Sequence, residues 1–403
     1  MRQDLRVSLF GYAKTTKALS RLFKNATFYD DACHKPFRDE RGRWVRPSSE
    51  FDPLRSDLEI PSPGIAPTHP LIQSAKNLAS EYDLFADAKP LKIWISGTNG
   101  KTTTTQMMQH LLAERGSVAG GNIGTPLADL EANKPIWILE SSSFTLHYNT
   151  KATPNIYILL PITPDHLSWH GSMSEYEKAK LKPLATMREG ELAIIPKKYA
   201  STPTNAFVVA YEDEADLASY FGIESHRLKF KGAFLLDALL AMAVDKALFD
   251  TKNYDKLNAF VLEAHRQEEL RDAKGRLWVN DSKATNLDAT IVAMKRYDSH
   301  FVHLILGGDD KGVDLGELFE FLAQKKLTLY IIGSNQPKLL NLAYTHHIQA
   351  IACYTLQNAI SQIDLAMRGG EVALLSPAAA SLDQFSSYAQ RGDLFKTYIK
   401  DLL

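Results

Sequence analysis

Gly97-Thr98-Asn99-Gly100-Lys101-Thr102-Thr103 stands between an apolar run, LKIWIS, and a helix-patterned stretch, Thr104–Arg115. Few folds place strand, glycine-rich turn, lysine and helix in that order. The glycines let backbone N–H groups close on oxyanions, the helix start adds partial positive charge, and Lys101 reaches the terminal phosphates of a nucleotide. Thr102 is the hydroxyl placed for Mg²⁺. Ile95 occupies the position where the longer form of this loop carries glycine, so this is the short G-x-x-G-K-T-T form. A guanine reader would be N-K-x-D, but Asn133-Lys134 runs on into Pro135-Ile136. ATP is therefore expected rather than GTP, and a signalling switch is disfavoured.

The surrounding chain repeats one theme: a short apolar run, a polar or glycine corner, then a helical pattern. LRVSLFG, PIWILES, NIYILLP, ELAIIP, FVHLILGG, LTLYIIGS and EVALLSP are such runs, and the alternation predicts parallel α/β domains. Breaks at Ala86–Pro90 and in the charged stretch Val261–Lys274 divide the chain into 1–88, 89–262 and 263–403, each of ordinary domain size. Hydrophobic residues at 45% and charged residues at 23% exclude a disordered chain. A net charge of −1 offers no global field to nucleic acid or an anionic membrane. Cys33 and Cys353 are the only cysteines, which suits a reducing cytosol. No run approaches the ~18 apolar residues of a membrane span, and Gly11 and Lys14 interrupt the N-terminal apolar run. A cytoplasmic protein is expected.

In open α/β sheets ligands collect at the carboxyl ends of strands. PIWILE ends there on Glu140, and IYILLPITPDH on Asp165 and His166. Both positions suit Mg²⁺, which takes one or two protein ligands beside phosphate and water. His166 could equally be a structural cap. Tyr176–Pro183 reads as a short helix with Lys178, Lys180 and Lys182, and composition does not choose among them.

Together these segments are recognisable. G-T-N-G-K-T-T, N-I-G (Asn122–Gly124), E-S-S-S-F (Glu140–Phe144), T-P-D-H (Thr163–His166) and Y-E-K-A-K resemble the Mur ligase superfamily. Its members build the peptide stem of bacterial cell-wall precursors. N-D-S-K-A-T-N (Asn280–Asn286), G-G-D-D-K-G (Gly307–Gly312) and L-L-S-P-A-A-A-S-L-D-Q-F (Leu374–Phe385) are similar to its D-glutamate-adding branch. The resemblance runs well from Ser62 to the C-terminus and poorly over the first sixty residues. It implies a Rossmann-like N-terminal domain for a UDP-sugar, a central P-loop domain for ATP, and a Rossmann-like C-terminal domain for the amino acid. The implied reaction joins D-glutamate to UDP-N-acetylmuramoyl-L-alanine through an acyl phosphate, releasing ADP and phosphate, in a monomer.

The resemblance also implies roles. Gly97 to Thr103 hold ATP, with Lys101 on the β/γ-phosphates. Thr102 and Glu140 ligate one Mg²⁺ and His166 a second. Lys180 is the carbamylated, metal-bridging lysine, and Asn122 contacts the sugar substrate near the reacting groups. His265-Arg266 lie on the hinge and adenine side, and Asp281 takes the ATP ribose. Lys311, Thr285, Lys283, Ser381, Leu382 and Tyr388 hold D-glutamate, Ser381 being readable also as a helix cap. Lys14, Thr15, Ser62 and Gly64 join Asn122 on the UDP-substrate.

Two departures stand out. The N-terminal turn Gly11-Tyr12-Ala13-Lys14-Thr15-Thr16 lacks two of the family's glycines, leaving Lys14 or the threonine hydroxyls to compensate; KGAFLLDALLA lacks its asparagine pair, with Asp237 in the vicinity. Arg38, Arg41, Arg43 and Arg46 read as a solvated hairpin, with UDP contacts as the alternative. Intact Lys101, Glu140, His166, Lys180 and Lys311 argue against a non-catalytic switch.

Overall fold

The structure, a computed structural model, describes residues 5–310 and 312–402. The chain forms an α/β protein with three sheets, and it divides into two compact units meeting in sequence at Phe260–Val261.

The first unit holds two sheets. In the N-terminal one, Trp44–Pro47, Asn25–Asp30, Arg6–Phe10 and Leu58–Pro61 lie side by side and parallel, and Phe37–Arg38 closes one edge as an antiparallel hairpin strand. Val7, Leu9, Ala26, Phe28, Val45 and Ile60 point into one core with Leu19 and Phe23. The alternate residues of the same strands face the other way.

The middle sheet is wholly parallel, in the order Phe207–Tyr211, Leu192–Pro196, Ile156–Leu159, Leu91–Ser96, Ile136–Glu140 and Ser117–Gly121. Its central strands are buried on both faces, which explains their unbroken apolar runs. The strand feeding the glycine loop lies between the strands that end at Glu140 and lead to His166. The helix after the loop begins at Lys101, three residues earlier than the pattern suggested, because Gly100 at φ +85° ends the turn abruptly.

In the second unit the order is Glu268–Arg271, Leu277–Asn280, Val372–Leu375, Val302–Leu306, Leu327–Ile332 and Ala350–Tyr354. All neighbours are parallel except the first pair. That antiparallel edge strand lies inside the charged stretch that reads as a break. The returning strand Val372–Leu375 inserts between Leu277–Asn280 and Val302–Leu306, so the loops after these three strands are adjacent, at the kind of crevice where open sheets bind ligands.

Candidate active site

Only glycine fits at the two corners of the loop. A Cβ on Gly97 would lie 2.5 Å from Leu160 Cβ, and one on Gly100 2.5 Å from Asp237 Oδ1. Thr98 is buried and works structurally: its hydroxyl donates to Thr163 O and accepts from Thr163 N, both at 2.9 Å. The loop is thereby tied to the T-P-D-H segment. Asn99 is exposed at the tip, Thr102 is half-exposed, and Thr103 is buried. Asp237 is buried and accepts from Thr104 Oγ1 at 2.8 Å beneath the loop.

Two lysine amines meet on one backbone oxygen. Lys101 Nζ donates to Gly97 O at 2.9 Å and Thr98 O at 2.7 Å, and Lys180 Nζ donates to the same Gly97 O at 2.6 Å. Lys180 is 1% exposed. Burial above all, and then the charge of Lys101, push its ammonium well below the ordinary lysine range. The helix carrying it, Met173–Thr186, buries Tyr176, Ala179, Lys180, Pro183 and Leu184. Lys178 points to solvent, and Lys182 donates to His147 O at 2.7 Å. The i, i+4, i+8 spacing of Tyr176, Lys180 and Leu184 marks this lysine in the sequence.

Glu140 is 3% exposed. Its Oε1 accepts from Asn122 Nδ2 at 2.6 Å, while Oε2 is buried without a hydrogen-bond partner. Asn122 N also donates to Glu140 O at 2.8 Å, so the N-I-G loop and the carboxylate form one assembly. His166 sits at φ +54° at the start of the short helix Leu167–His170, where its carbonyl accepts from Trp169 N and His170 N. The cap reading therefore describes its backbone, while the ring is half-exposed and packs on Phe144, 4.7 Å between centroids.

The UDP-substrate candidates lie on neighbouring loops. A Cβ on Gly11 would come 3.2 Å from Ser62 Cβ, and one on Gly124 4.0 Å from Lys14 Nζ. Thr15 is half-exposed beside Lys14. Thr16 compensates for the missing glycines internally: it is fully buried, and its hydroxyl donates to Gly11 O at 2.6 Å and accepts from Ala13 N at 3.1 Å. Trp169, which no motif singled out, donates from Nε1 to Gly64 O at 3.0 Å, and Tyr148 OH donates to Ile65 O at 2.6 Å.

In the second unit, Asp281 is 6% exposed and accepts from Ser376 Oγ at 2.9 Å and Gln267 N at 3.2 Å. Burial outweighs those hydrogen bonds and raises its carboxyl to about 7. His265 is buried with Nδ1 2.9 Å from Asn280 Nδ2, and Arg266 pairs with Glu263 at 3.4 Å. Lys283 Nζ lies 4.0 Å from the Tyr388 ring centre. Ser381 is buried and Leu382 is 70% exposed, with Thr285 half-exposed on the other loop. Ser381 does not cap the last helix, a task that falls to Ser387. Lys311 lies outside the described residues.

Arg391 joins these loops and was invisible to motif reading. It is fully buried and donates to Ser282 Oγ (3.0 Å), Ser282 O (2.9 Å) and Ala379 O (3.1 Å). Its place on the buried face with Phe395 and Ile399 is the one signal in the sequence.

A metal finds a thin but suitable donor set. Among the described residues no three His, Cys, Asp or Glu side chains cluster as a cage, as befits an ion held partly by phosphate and water. The unpartnered Glu140 Oε2 beside the phosphate loop fits a hard dication.

Residues 95–237 match the model of the Mur ligase middle domain. A Campylobacter jejuni UDP-N-acetylmuramoylalanine–D-glutamate ligase is 52% identical over 99% of this chain and 100% of its own length. A Helicobacter pylori enzyme of the same name is 46% identical over 98% and 99%. The chain belongs to the Mur ligase family, in its D-glutamate ligase branch. Its fold is also that of MurF from Thermotoga maritima in complex with ADP, at TM-score 0.60, 14% identity and coverage of 99% and 95%. The Mur ligase relationship spans the whole chain, including the first sixty residues where the motifs resemble the family least. No helix among the described residues of this Mur ligase is long and apolar enough to cross a membrane.

Proposed function

We propose that this Mur ligase uses ATP to join D-glutamate to UDP-N-acetylmuramoyl-L-alanine in peptidoglycan precursor synthesis. The observation that carries the reading is the convergence beside the phosphate loop of Lys101, the neutral-leaning Lys180 and the half-satisfied Glu140. A carboxylate is a poor acceptor for an amine. ATP first phosphorylates the alanine carboxylate, the D-glutamate amine attacks the acyl phosphate, and the tetrahedral intermediate collapses with loss of phosphate. Catalysis is positioning and charge neutralisation, with no covalent enzyme nucleophile.

Lys101 holds the β/γ-phosphates, and Thr102, Glu140 and His166 would hold Mg²⁺. Bound there, Mg²⁺ would supply neutralisation of phosphoryl charge. Lys180, buried and depressed in basicity, adds CO₂ at Nζ and loses a proton to give a carbamate, placing an anion opposite Lys101. Asn122 orients Glu140 and the sugar substrate, with Lys14, Thr15, Ser62 and Gly64 on the UDP side. Asp281, His265 and Arg266 serve the nucleoside, and Lys283, Thr285, Ser381, Leu382, Tyr388 and Lys311 serve D-glutamate. Residues 1–88, 89–262 and 263–403 correspond to UDP-sugar, ATP and amino-acid domains of a cytoplasmic monomer.

The test is phosphate release with ATP, Mg²⁺ and UDP-N-acetylmuramoyl-L-alanine, comparing D-glutamate, L-glutamate, meso-diaminopimelate and L-lysine. Release with D-glutamate alone is expected. Release with L-lysine or diaminopimelate instead would overturn the proposal.

A further inference from the structure

A sizeable cleft of the first unit opens on the N-terminal sheet rather than at the phosphate loop. It has a volume of about 780 Å³ and lies along the N-terminal sheet, reaching the amino ends of its strands at Arg6, Asn25 and Trp44. The Gly11 turn is at the opposite, carboxyl end of strand Arg6–Phe10. Five residues at ~3.3 Å each separate the two ends of the strand by roughly 15 Å, and the cleft's lining runs along that length as far as Tyr29, whose backbone oxygen accepts from Gly11 N at 2.8 Å.

Strand alternation makes this cleft polar. Val7, Phe28 and Val45 face the core, so Ser8, Thr27, Tyr29, Trp44 and Arg46 face the cleft. A parallel sheet normally hides both faces under helices. Phe51 covers the far end of this face, packing on Phe10 and Tyr29 at 4.9 and 5.2 Å between ring centroids. The rest carries hydroxyls and guanidinium groups, which are unsuited to an apolar helix or a second hydrophobic sheet.

Its charge is one-sided. Eight Arg or Lys residues line the cleft against two acidic residues, Glu50 and Asp52. Four of the cations are neutralised: Arg6 by Asp57, Arg21 by Asp129, Arg46 by Glu50 and Arg55 by Asp52. Lys24, Arg38, Arg41 and Arg43 form no ion pair among the described residues. Arg43 Nη1 is buried without an acceptor, a costly state for a charged donor. Arg38 and Arg46 are held over Trp44, 4.4 and 5.0 Å from a ring centre, which limits the freedom they would lose on binding.

We propose that this cleft is an anion site, separate from the ligation chemistry, that takes the di- or triphosphate chain of a small molecule. Guanidinium forks match phosphate oxygens bidentately, Ser8 and Thr27 add neutral donors, and the volume suits a small ligand. The concave shape favours a compact ligand over a flat membrane surface. Linear nucleic acid finds a basic stretch confined to one sheet of a chain with net charge −1.

The experiment is calorimetric titration of the full chain with inorganic tripolyphosphate in Mg²⁺-free buffer. With the UDP-substrate site first saturated by UDP-N-acetylmuramoyl-L-alanine, wild type is expected to bind two equivalents, one at the phosphate loop and one here. Arg38→Gln/Arg43→Gln should lose only the second, and Lys101→Ala should weaken only the first. The double variant should keep wild-type ligase turnover at saturating substrates, which shows that it folds and separates this proposal from the ligase reading. Arg43→Lys should weaken the second site at least fivefold while keeping its charge. ATP and UTP binding there as tightly as tripolyphosphate identify the phosphate chain as the ligand. Either nucleotide binding at least tenfold tighter identifies a nucleotide, and both results support the site. A single equivalent in wild type, or binding unchanged in the double variant, overturns the proposal. So does displacement of tripolyphosphate by a DNA duplex or by phosphatidylglycerol vesicles at lower phosphate concentration.

Discussion

Arg391→Leu should loosen the C-terminal loops while leaving the phosphate loop intact. The substitution keeps apolar packing beside Phe395 but strips donors from Ser282 O, Ala379 O and Ser282 Oγ. A buried polar group left unpaired costs ~1–3 kcal/mol. Ser282 Oγ keeps its bond to Tyr388 O at 2.7 Å, so the two orphaned carbonyls carry the loss. Their cost exceeds the relief of the guanidinium's own desolvation, which already lowers its pKa to about 10, and the net cost is about 3 kcal/mol. At ~1.4 kcal/mol per tenfold change in an equilibrium, the loop carrying Ser381 opens about a hundredfold more often. Its reporter is the Ala380 amide, which donates to Asp309 O at 2.8 Å. Hydrogen exchange of the full chain should show that amide exchanging about a hundredfold faster, and KM for D-glutamate should rise at least tenfold. Arg391→Lys, which restores one charged donor, should recover part of both effects. Exchange altered less than threefold in Arg391→Leu would refute the clamp.

Gly392→Ala should destabilise by ~1–3 kcal/mol through overpacking, because the new Cβ would fall 2.2 Å from His265 Nδ1; an unchanged melting temperature would contradict this. Asp281 is raised from 3.8 to about 7, so the native state holds the extra proton between those values. Its contribution is complete below pH 4 and is lost as pH rises through 7, by up to ~4 kcal/mol. The stability of wild type relative to Asp281→Asn should fall from pH 4 to 7 and level off above, and a flat difference would sink the reading. Lys180→Ala should abolish turnover and regain some activity with added formate or acetate, whereas full activity without rescue would discard the carbamate.

The phosphate loop, Glu140 and the division into α/β segments were legible because each follows a strand buried on both faces. Strands Asn25–Asp30, Trp44–Pro47 and Ser117–Gly121 were harder to see. NATFYD and WVRP alternate polar with apolar residues on a half-open sheet, and SVAGG is an edge strand of small residues. EELR was obscured by charge, its alternate residues only half-buried. Within the site, Lys180 and Arg391 lie on buried helix stripes where a charged side chain breaks the hydrophobic pattern. Helical spacing marks them, but composition alone reads them as solvated. Trp169 escaped because its partner is a backbone oxygen about a hundred residues away, at Gly64.

The most direct test of the ligase assignment is product analysis after incubation with ATP, Mg²⁺, UDP-N-acetylmuramoyl-L-alanine and an equimolar mixture of D-glutamate, L-glutamate and L-lysine. Mass spectrometry with chiral hydrolysis should find D-glutamate in the new amide, with one ADP formed per bond. An amide containing lysine or L-glutamate, or ADP formed without any amide, would contradict it.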